Sequence, residues 1–206
     1  MTAASREAVR QVAEAEFPCR FGRFRLYGLE ARLNGKAESV VALQMGDLGA
    51  AGQAPLVRIH SQCLTGDVFG SLRCDCRAQL EMSLELIAAE GRGLLIYEAE
   101  EGRGIGLLNK LMAYQLQDAG ADTIEANQRL GFDADQRTYQ VAVAVLRHFG
   151  VSQVRLLSNN PEKIKALEAG GIRVEERIPC QPDPGASAEA YLRTKKEKLG
   201  HILEGL

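Results

Sequence analysis

The sequence lacks a strong charge imbalance, contains no tryptophan and holds only 5% aromatic residues. Its 206 residues include 25 basic and 27 acidic side chains, which gives a net charge of −2. No bulk electric field would therefore hold the protein on DNA, RNA or an anionic membrane, and we expect neither a nucleic-acid polymer nor a membrane as partner. Any anionic ligand must instead be bound by a local cluster of cations.

Long apolar runs are also missing. The amino-terminal residues MTAASREAVRQVAEAEF contain no signal-peptide core, and no uncharged apolar stretch of roughly 18 residues occurs in the chain. We therefore expect no signal peptide, no membrane span and a cytoplasmic location. Five cysteines are an odd number, which favours thiols or thiolates over a disulfide framework.

The composition is that of an ordinary globular protein, with 46% apolar and 25% charged residues. This balance excludes a disordered chain, a collagen-like repeat and a disulfide-stapled miniprotein. At roughly 100–200 residues per domain, the length fits one good-sized domain or two small ones. We predict a single domain over residues 1–206, with residues 1–16 as an N-terminal extension and residues 179–206 as a mobile loop followed by a C-terminal helix.

Apolar periodicity predicts an α/β fold. β-Like runs predict strands over residues 21–27, 39–45, 55–60, 93–97, 151–157 and 172–178. Helical patterns predict helices over residues 76–90, 105–119, 138–149, 161–169 and 188–203, and the second of these places Leu108, Leu111, Met112 and Leu116 on one apolar face. Strands alternating with helices indicate a sheet with helices on its faces, and the β-rich first third favours a mixed sheet over a purely parallel one.

Three of the cysteines, Cys63, Cys74 and Cys76, lie close together in the sequence. Three thiolates can occupy three corners of a Zn²⁺ tetrahedron, and catalytic zinc sites leave the fourth corner for water. Two alternatives stay open at this level. The thiols can be ordinary core residues, or His60 or Cys180 can complete a closed structural site.

Two strand-to-helix connections have features of anion sites. The glycine-rich run Glu101-Gly102-Arg103-Gly104 lets backbone N–H groups approach a phosphate, although such a turn needs glycine for conformational reasons as well. After the later strand, Ser158 precedes a helix whose first turn carries Lys163. A cation is unfavourable beside the positive end of a helix unless an anion lies between them, which favours a ligand there.

Together, ordered blocks of the sequence resemble the GTP cyclohydrolase II family. The blocks are Arg58-Ile59-His60-Ser61, Cys63-Leu64-Thr65-Gly66-Asp67, Arg73-Cys74-Asp75-Cys76, Glu101-Gly102-Arg103 and Asn159-Asn160-Pro161. The resemblance extends over nearly the whole chain. It implies a three-layer α/β/α fold with a mixed β-sheet. It also implies hydrolysis of GTP to 2,5-diamino-6-(5-phospho-D-ribosylamino)pyrimidin-4(3H)-one, formate and pyrophosphate, the first step of riboflavin biosynthesis.

The resemblance implies specific roles for individual residues. Cys63, Cys74 and Cys76 would hold one catalytic Zn²⁺ per subunit, Mg²⁺ would accompany the triphosphate, and the enzyme would be a homodimer. Asp135 matches the family's proposed general base, Arg137 its proposed nucleophile toward the α-phosphorus, and Tyr114 a residue of the ring-opening steps. The residues that fall where the family binds GTP are Arg58, Ile59, His60, Ser61, Gln62, Gln79, Glu101, Gly102, Arg103, Thr123, Ser158 and Lys163.

Elementary chemistry modifies this picture at two positions. A guanidinium stays protonated in proteins, so Arg137 is better suited to stabilising phosphoryl charge than to attacking phosphorus. Gln62 stands where the family usually has glutamate, which removes a carboxylate near the metal. Two alternatives follow: a divergent paralogue that stops at a formylated intermediate or serves a secondary pathway, and a non-catalytic nucleotide-binding module with a structural zinc.

Overall fold

The computed structural model describes residues 8–33, 35–133, 135–182, 196–197 and 200–203. Its centre is a mixed seven-stranded sheet in the order β1-β2-β3-β5-β4-β6-β7. The strands are β1 (Ala8–Cys19), β2 (Gly22–Leu33), β3 (Lys36–Met45), β4 (Leu56–Ser61), β5 (Gly93–Glu98), β6 (Gln153–Leu157) and β7 (Arg173–Ile178). β1, β2, β3 and β5 pair antiparallel, whereas β5, β4, β6 and β7 pair parallel. The prediction of a mixed α/β sheet is therefore confirmed.

Helices cover both faces of this sheet. They are α1 (Cys76–Glu90), α2 (Leu107–Asp118), α3 (Thr123–Arg129), α4 (Gln140–His148) and α5 (Pro161–Ala169). α4 and α5 pack on one face, where Val145, Leu146 and Leu167 are fully buried in the larger core cluster. α1 packs on the opposite face through Leu84 and Ile87. Within the described residues, no helix combines the length and the apolar character needed to span a bilayer.

The amino-terminal part of the chain differs from the prediction. Residues 8–16 belong to β1, an edge strand paired along β2, rather than to an extension. The run is rich in alanine and charged residues, which have low β-propensity. Its pairing is supported across the strands by ion pairs of Arg25 with Glu14 (2.8 Å) and Glu16 (3.3 Å). These long-range contacts are not visible as a local sequence pattern.

The carboxyl-terminal part also differs. The predicted helix over residues 188–203 does not reach its expected end, because residues 200–203 are not helical. The Ile202 N–H instead donates a hydrogen bond to the Asn159 carbonyl (2.9 Å), which ties this segment to the loop after β6. Residues 183–195 and 198–199, which include most of the predicted loop and helix, lie outside the described residues.

α2 differs from the prediction in the burial of its apolar face and not in its position along the chain. Its boundaries agree with the predicted helix to within two residues, but its apolar face is only partly covered. Leu108, Leu111 and Met112 are 75%, 43% and 48% exposed, and the fully covered position is Ala113. The periodicity therefore identified an apolar face without identifying what packs on it.

Candidate active site

A cleft lies at the carboxyl ends of the parallel strands β4, β5 and β6, the edge where α/β sheets commonly bind ligands. All three zinc-candidate cysteines line it. Residues of the glycine-rich loop and of the loop after β6 line it as well. The predicted site residues found in its wall are Arg58, His60, Ser61, Gln62, Cys63, Cys74, Cys76, Gln79, Glu101, Gly102, Arg103, Tyr114, Arg137, Ser158 and Lys163.

Three predicted residues are not in this wall. The Ile59 side chain is fully buried in the core on the other face of the sheet, because neighbouring strand residues point to opposite faces. Thr123 begins α3, but its side chain lies outside what the structure describes. Asp135 is absent from the wall but contacts Arg137, which is part of it.

The thiol groups of Cys63, Cys74 and Cys76 converge at one point of the cleft. Their sulfur atoms lie within 4.8 Å of one another, and the Cys63 and Cys74 sulfurs are 3.7 Å apart. Within the described residues, no His, Asp or Glu joins this group as a further candidate ligand. Cys180 lies elsewhere, with its sulfur against Ser83 and Gln79. The described residues therefore do not form the alternative four-ligand structural site that His60 or Cys180 would complete.

Gly66 gives an independent indication that this pocket is built for the sulfurs. A Cβ at Gly66 would lie 2.9 Å from the Cys74 sulfur, a distance that real Cβ atoms essentially never show, and 3.1 Å from the Cys63 sulfur, which is tight. The π-helical turn Leu64–Val68 thus passes directly over the thiol cluster, and a larger residue at position 66 would displace the sulfurs. Three thiolate sulfurs this close together are soft donors in an arrangement that suits Zn²⁺.

Lys110 stabilises negative charge at this cluster. Its ammonium donates hydrogen bonds to the Cys63 sulfur (3.1 Å) and to the Glu101 carboxylate (2.7 Å). Hydrogen bonds from the Cys74 and Cys76 thiols, together with this ammonium, hold the pKa of Cys63 well below its usual range. A thiolate is the form that binds metal. No specific role was predicted for Lys110, although a cation in the first turn of a helix, as at Lys163, indicates a nearby anion.

A buried group of cations forms the second half of the cleft. Lys163 is 6% exposed, and its ammonium donates to the Ile59 carbonyl (2.7 Å). Burial, followed by the charges of Arg58 and Arg137, places the pKa of Lys163 well below its usual range. Arg58 donates to the Leu157 carbonyl (3.0 Å) and to Gln79 (2.6 Å). Since these cations repel one another, an anion between them would be stabilised.

Arg137 is oriented by Asp135. The guanidinium donates to both carboxylate oxygens, with distances of 2.5 and 2.9 Å, and also to the Ser61 hydroxyl (3.2 Å). Burial acts to raise the pKa of Asp135, but the hydrogen bonds and charge of Arg137 outweigh it, so the net shift is downward. The pair is therefore a carboxylate and a protonated guanidinium.

Tyr114 connects α2 with the turn that carries the first cysteine. Its hydroxyl lies 3.1 Å from the Thr65 hydroxyl, and burial raises the pKa of this phenol. The guanidinium of Arg73 stacks 5.0 Å from the centre of the same ring. Tyr114 therefore presents a protonated hydroxyl beside the thiol cluster.

Backbone strain is concentrated at this cleft. Among the described residues, Arg103 and Tyr139 are the non-glycine residues with positive φ, at 61° and 56°. Such a conformation is uncommon for a bulky residue and costs about 1–3 kcal/mol. Arg103 belongs to the glycine-rich loop, and the ring of Tyr139 lies 5.3 Å from the Lys163 ammonium. The surrounding contacts thus hold two strained residues beside the anion-binding half of the site.

Comparison with known proteins identifies the family. The model of the GTP cyclohydrolase II family matches residues 10–179. The chain is 53% identical to GTP cyclohydrolase-2 of Azotobacter vinelandii, over 95% of this chain and 92% of that protein. It is 54% identical to GTP cyclohydrolase-2 of Pseudomonas aeruginosa, over 95% and 94% of the two chains. It is also 50% identical to the riboflavin biosynthesis protein RibBA of Bacillus subtilis, over 95% of this chain and 48% of that protein.

The sequence blocks, the mixed sheet and the three-cysteine cluster agree with this match. The predicted family, fold class and enzyme activity are confirmed. The chain belongs to the GTP cyclohydrolase II family, the enzymes that act in riboflavin biosynthesis.

Proposed function

We propose that this cleft binds GTP with its guanine toward the thiol cluster and its triphosphate toward the buried cations. The products would be 2,5-diamino-6-(5-phospho-D-ribosylamino)pyrimidin-4(3H)-one, formate and pyrophosphate. The observation that carries the proposal is the presence, in one cleft, of a three-thiol cluster and the cations Arg58, Arg137 and Lys163. The first suits a metal that activates water, and the second suits a polyanion.

Cys63, Cys74 and Cys76 would hold the zinc ion. When bound, Zn²⁺ supplies an activated water for attack on a ring carbon of the base, the role that zinc also has in nucleobase deaminases. Lys110 offsets the negative charge of the thiolates through its hydrogen bond to the Cys63 sulfur. Tyr114, with its protonated hydroxyl beside the cluster, would donate a proton or hydrogen bond during ring opening.

The phosphate half of the site would work through charge and orientation. Asp135 holds the guanidinium of Arg137 by two short contacts, so Arg137 would stabilise charge on the phosphoryl oxygens as a protonated group. The negative charge of an approaching triphosphate would raise the pKa of Lys163 back toward its usual range and stabilise the ammonium. Mg²⁺ bound to the triphosphate would neutralise part of its charge. The remaining candidates, among them Gln62, Gln79, Ser158 and Thr123, would contact the nucleotide.

One time course tests the whole proposal. Zinc-loaded protein is incubated with GTP and Mg²⁺, and formate, pyrophosphate and the pyrimidine are quantified together by mass spectrometry. Equal yields of the three products are expected, and a parallel reaction without Mg²⁺ should be slower. Pyrophosphate or a formylated nucleotide without formate would indicate the divergent paralogue with Gln62. Unchanged GTP would favour the nucleotide-binding module.

We also propose that the enzyme works as a homodimer that covers the apolar face of α2. Leu108, Leu111 and Met112 are exposed on that helix, and Phe69 and Leu72, which lie between the π-helical turn and α1, are each 73% exposed. The segment with Phe69 and Leu72 contacts the carboxyl end of α2, where Arg73 donates to Asp118 (2.6 Å). Exposed apolar surface is typical of protein interfaces.

Sedimentation equilibrium tests the dimer. The wild-type protein is expected to sediment as a dimer, and Leu108→Glu should shift the equilibrium to monomer, because a charge would be buried without a partner. Val12→Glu, a matched change at an exposed apolar residue of the edge strand β1, is the control and should leave the mass unchanged. A wild-type monomer would contradict the proposal, as would dissociation caused equally by both variants.

A further inference from the structure

Asp67 is a buried carboxylate that contacts three elements of the site. It lies in the π-helical turn that follows Cys63, and its side chain is 4% exposed. One carboxylate oxygen accepts hydrogen bonds from the Cys63 N–H (3.0 Å) and from the Tyr97 hydroxyl on β5 (2.8 Å). Both oxygens lie 3.1 Å from Nε2 of His60 on β4. The turn is thereby fixed to two neighbouring strands of the sheet.

The contacts of Asp67 with Cys63 involve both peptide groups of the cysteine. The Asp67 N–H donates to the Cys63 carbonyl (2.7 Å), while the Asp67 carboxylate accepts from the Cys63 N–H. The backbone on either side of the Cys63 Cα atom is therefore held by the same residue. Since the direction of the Cα–Cβ bond follows from the backbone, these contacts fix the direction in which the Cys63 side chain leaves the main chain.

The contact with His60 determines where the imidazole carries its proton. A carboxylate only accepts hydrogen bonds, so Nε2 of His60 must be the protonated nitrogen. Burial lowers the pKa of this histidine, which keeps the ring neutral. Nδ1 is buried and has no hydrogen-bond partner among the described residues. The ring is also stacked on Tyr97, with centroids 5.4 Å apart and planes at 20°.

We propose that Asp67 is a positioning residue of the thiol cluster, which fixes the Cys63 sulfur for metal binding and holds His60 as the Nε2–H tautomer. The importance of this role for catalysis rests on the proposed function, in which the thiol cluster is the zinc site. Partners of this kind typically change metal affinity by about 10–100-fold when they are removed. None of the residues that the family resemblance marks for catalysis performs this task.

Metal affinity is the first test. Zn²⁺ is titrated against a chromophoric chelator in competition with wild-type protein, Asp67→Ala and Asp47→Ala, the latter a control at an exposed position. Asp67→Ala removes both carboxylate oxygens, so the Cys63 N–H, the Tyr97 hydroxyl and His60 Nε2 all lose their acceptor. Asp67→Ala should bind Zn²⁺ at least about tenfold more weakly, whereas the control should not change. Unchanged affinity in Asp67→Ala would overturn the proposal.

The tautomer of His60 gives a second measurement that does not depend on catalysis. In ¹⁵N-histidine-labelled wild-type protein loaded with Zn²⁺, the ring of His60 should show a protonated Nε2 and an unprotonated Nδ1. In Asp67→Ala the imidazole loses the acceptor that fixes the proton on Nε2, so the single tautomer should be lost. Tyr97→Phe removes a different hydrogen bond to Asp67 and should leave the tautomer intact.

These readouts separate the two proposals. A wild-type ring protonated at Nδ1, or a ring that keeps Nε2–H as its single tautomer in Asp67→Ala, would overturn the positioning role even if GTP is fully hydrolysed. Absence of GTP hydrolysis together with the expected tautomer and affinity change would instead overturn only the proposed function. If Asp67→Ala fails to fold, a wild-type ring protonated at Nδ1 would still overturn the proposal.

Discussion

Glu98 provides the sharpest test of the electrostatics at the carboxyl ends of the strands. It lies at the end of β5, is 1% exposed, and neither of its carboxylate oxygens has a hydrogen-bond partner among the described residues. Burial, followed by the negative charge of Glu100, raises the pKa of Glu98 to about 7 from the ordinary value of 4.5. The positive charges of Lys163 and Arg137 oppose this shift without cancelling it.

The sign of the effect on stability follows from proton binding. Between about pH 4.5 and 7 the folded protein keeps the Glu98 proton, whereas the unfolded chain has released it. Stability should therefore fall as the pH rises through this window and should level off above it. One pKa unit corresponds to about 1.4 kcal/mol, so a shift of this size amounts to about 3 kcal/mol. Because Glu98 is almost completely buried, solvent screening reduces this figure little.

Glu98→Gln isolates the effect. Glutamine has nearly the shape of the protonated carboxyl group but does not ionise. The variant and the wild type should be equally stable near pH 4.5, and the variant should be about 3 kcal/mol more stable at pH 8. Urea unfolding followed by circular dichroism from pH 4.5 to 8.5, at constant zinc, measures the difference. Glu85→Gln, at an exposed position of α1, is the control and should show no such trend.

Two results would refute this reasoning. If Glu98→Gln is less stable than the wild type at pH 8, the carboxylate is ionised and stabilised by Lys163 or Arg137. A stability difference that does not vary with pH would refute it as well.

Three further predictions concern the active site. Gly66→Ala should weaken Zn²⁺ binding at least about tenfold in chelator competition, because the added methyl group meets the sulfurs, whereas Gly49→Ala, in an open turn, should not. Cys74→Ser should lose Zn²⁺ and formate production together, and full ring opening by the zinc-free variant would contradict the ligand assignment. Asp135→Ala and Arg137→Ala should retain Zn²⁺ but release little pyrophosphate, and a normal pyrophosphate yield from both would remove them from the site.

Elements with local signals were predicted accurately. The sequence around Asn160 and Pro161 predicts a helix over residues 161–169, and α5 has these boundaries. The reason is local: the Asn160 side chain accepts a hydrogen bond from the Glu162 N–H (3.0 Å), and proline suits the first helical position. A cap of this kind depends on a few adjacent residues, so the sequence alone is sufficient to place it.

Elements that depend on distant partners were predicted poorly. β1 consists largely of residues with low strand propensity, and its pairing with β2 cannot be read from its own composition. α3 was not predicted at all, since it is a short helix that buries the small side chain of Ala126 rather than a long apolar stripe. For α2 the period was right, but the sequence pattern did not show that Leu108 is 75% exposed.

The same distinction applies to the active site. Cysteine spacing indicates the three thiolates because chemically distinctive ligands lie close together in sequence. Asp67 and Lys110 are ordinary polar residues by composition, and what distinguishes them is burial beside Cys63. The role of such a residue depends on which donors or acceptors surround it, and these neighbours are known only once the fold is known.

The distribution of charge shows why the net value of −2 says little about ligand binding. Arg58 lies on β4, Arg137 precedes α4, and Lys163 lies in the first turn of α5, so these cations are far apart in sequence. The parallel arrangement of β4 and β6 brings the connections that follow them to one edge of the sheet. Since buried charges interact more strongly than solvated ones, this small group attracts an anion locally although the protein has almost no net charge. An overall charge therefore excludes binding by a bulk field, but only the topology of the sheet determines whether a polyanion site exists.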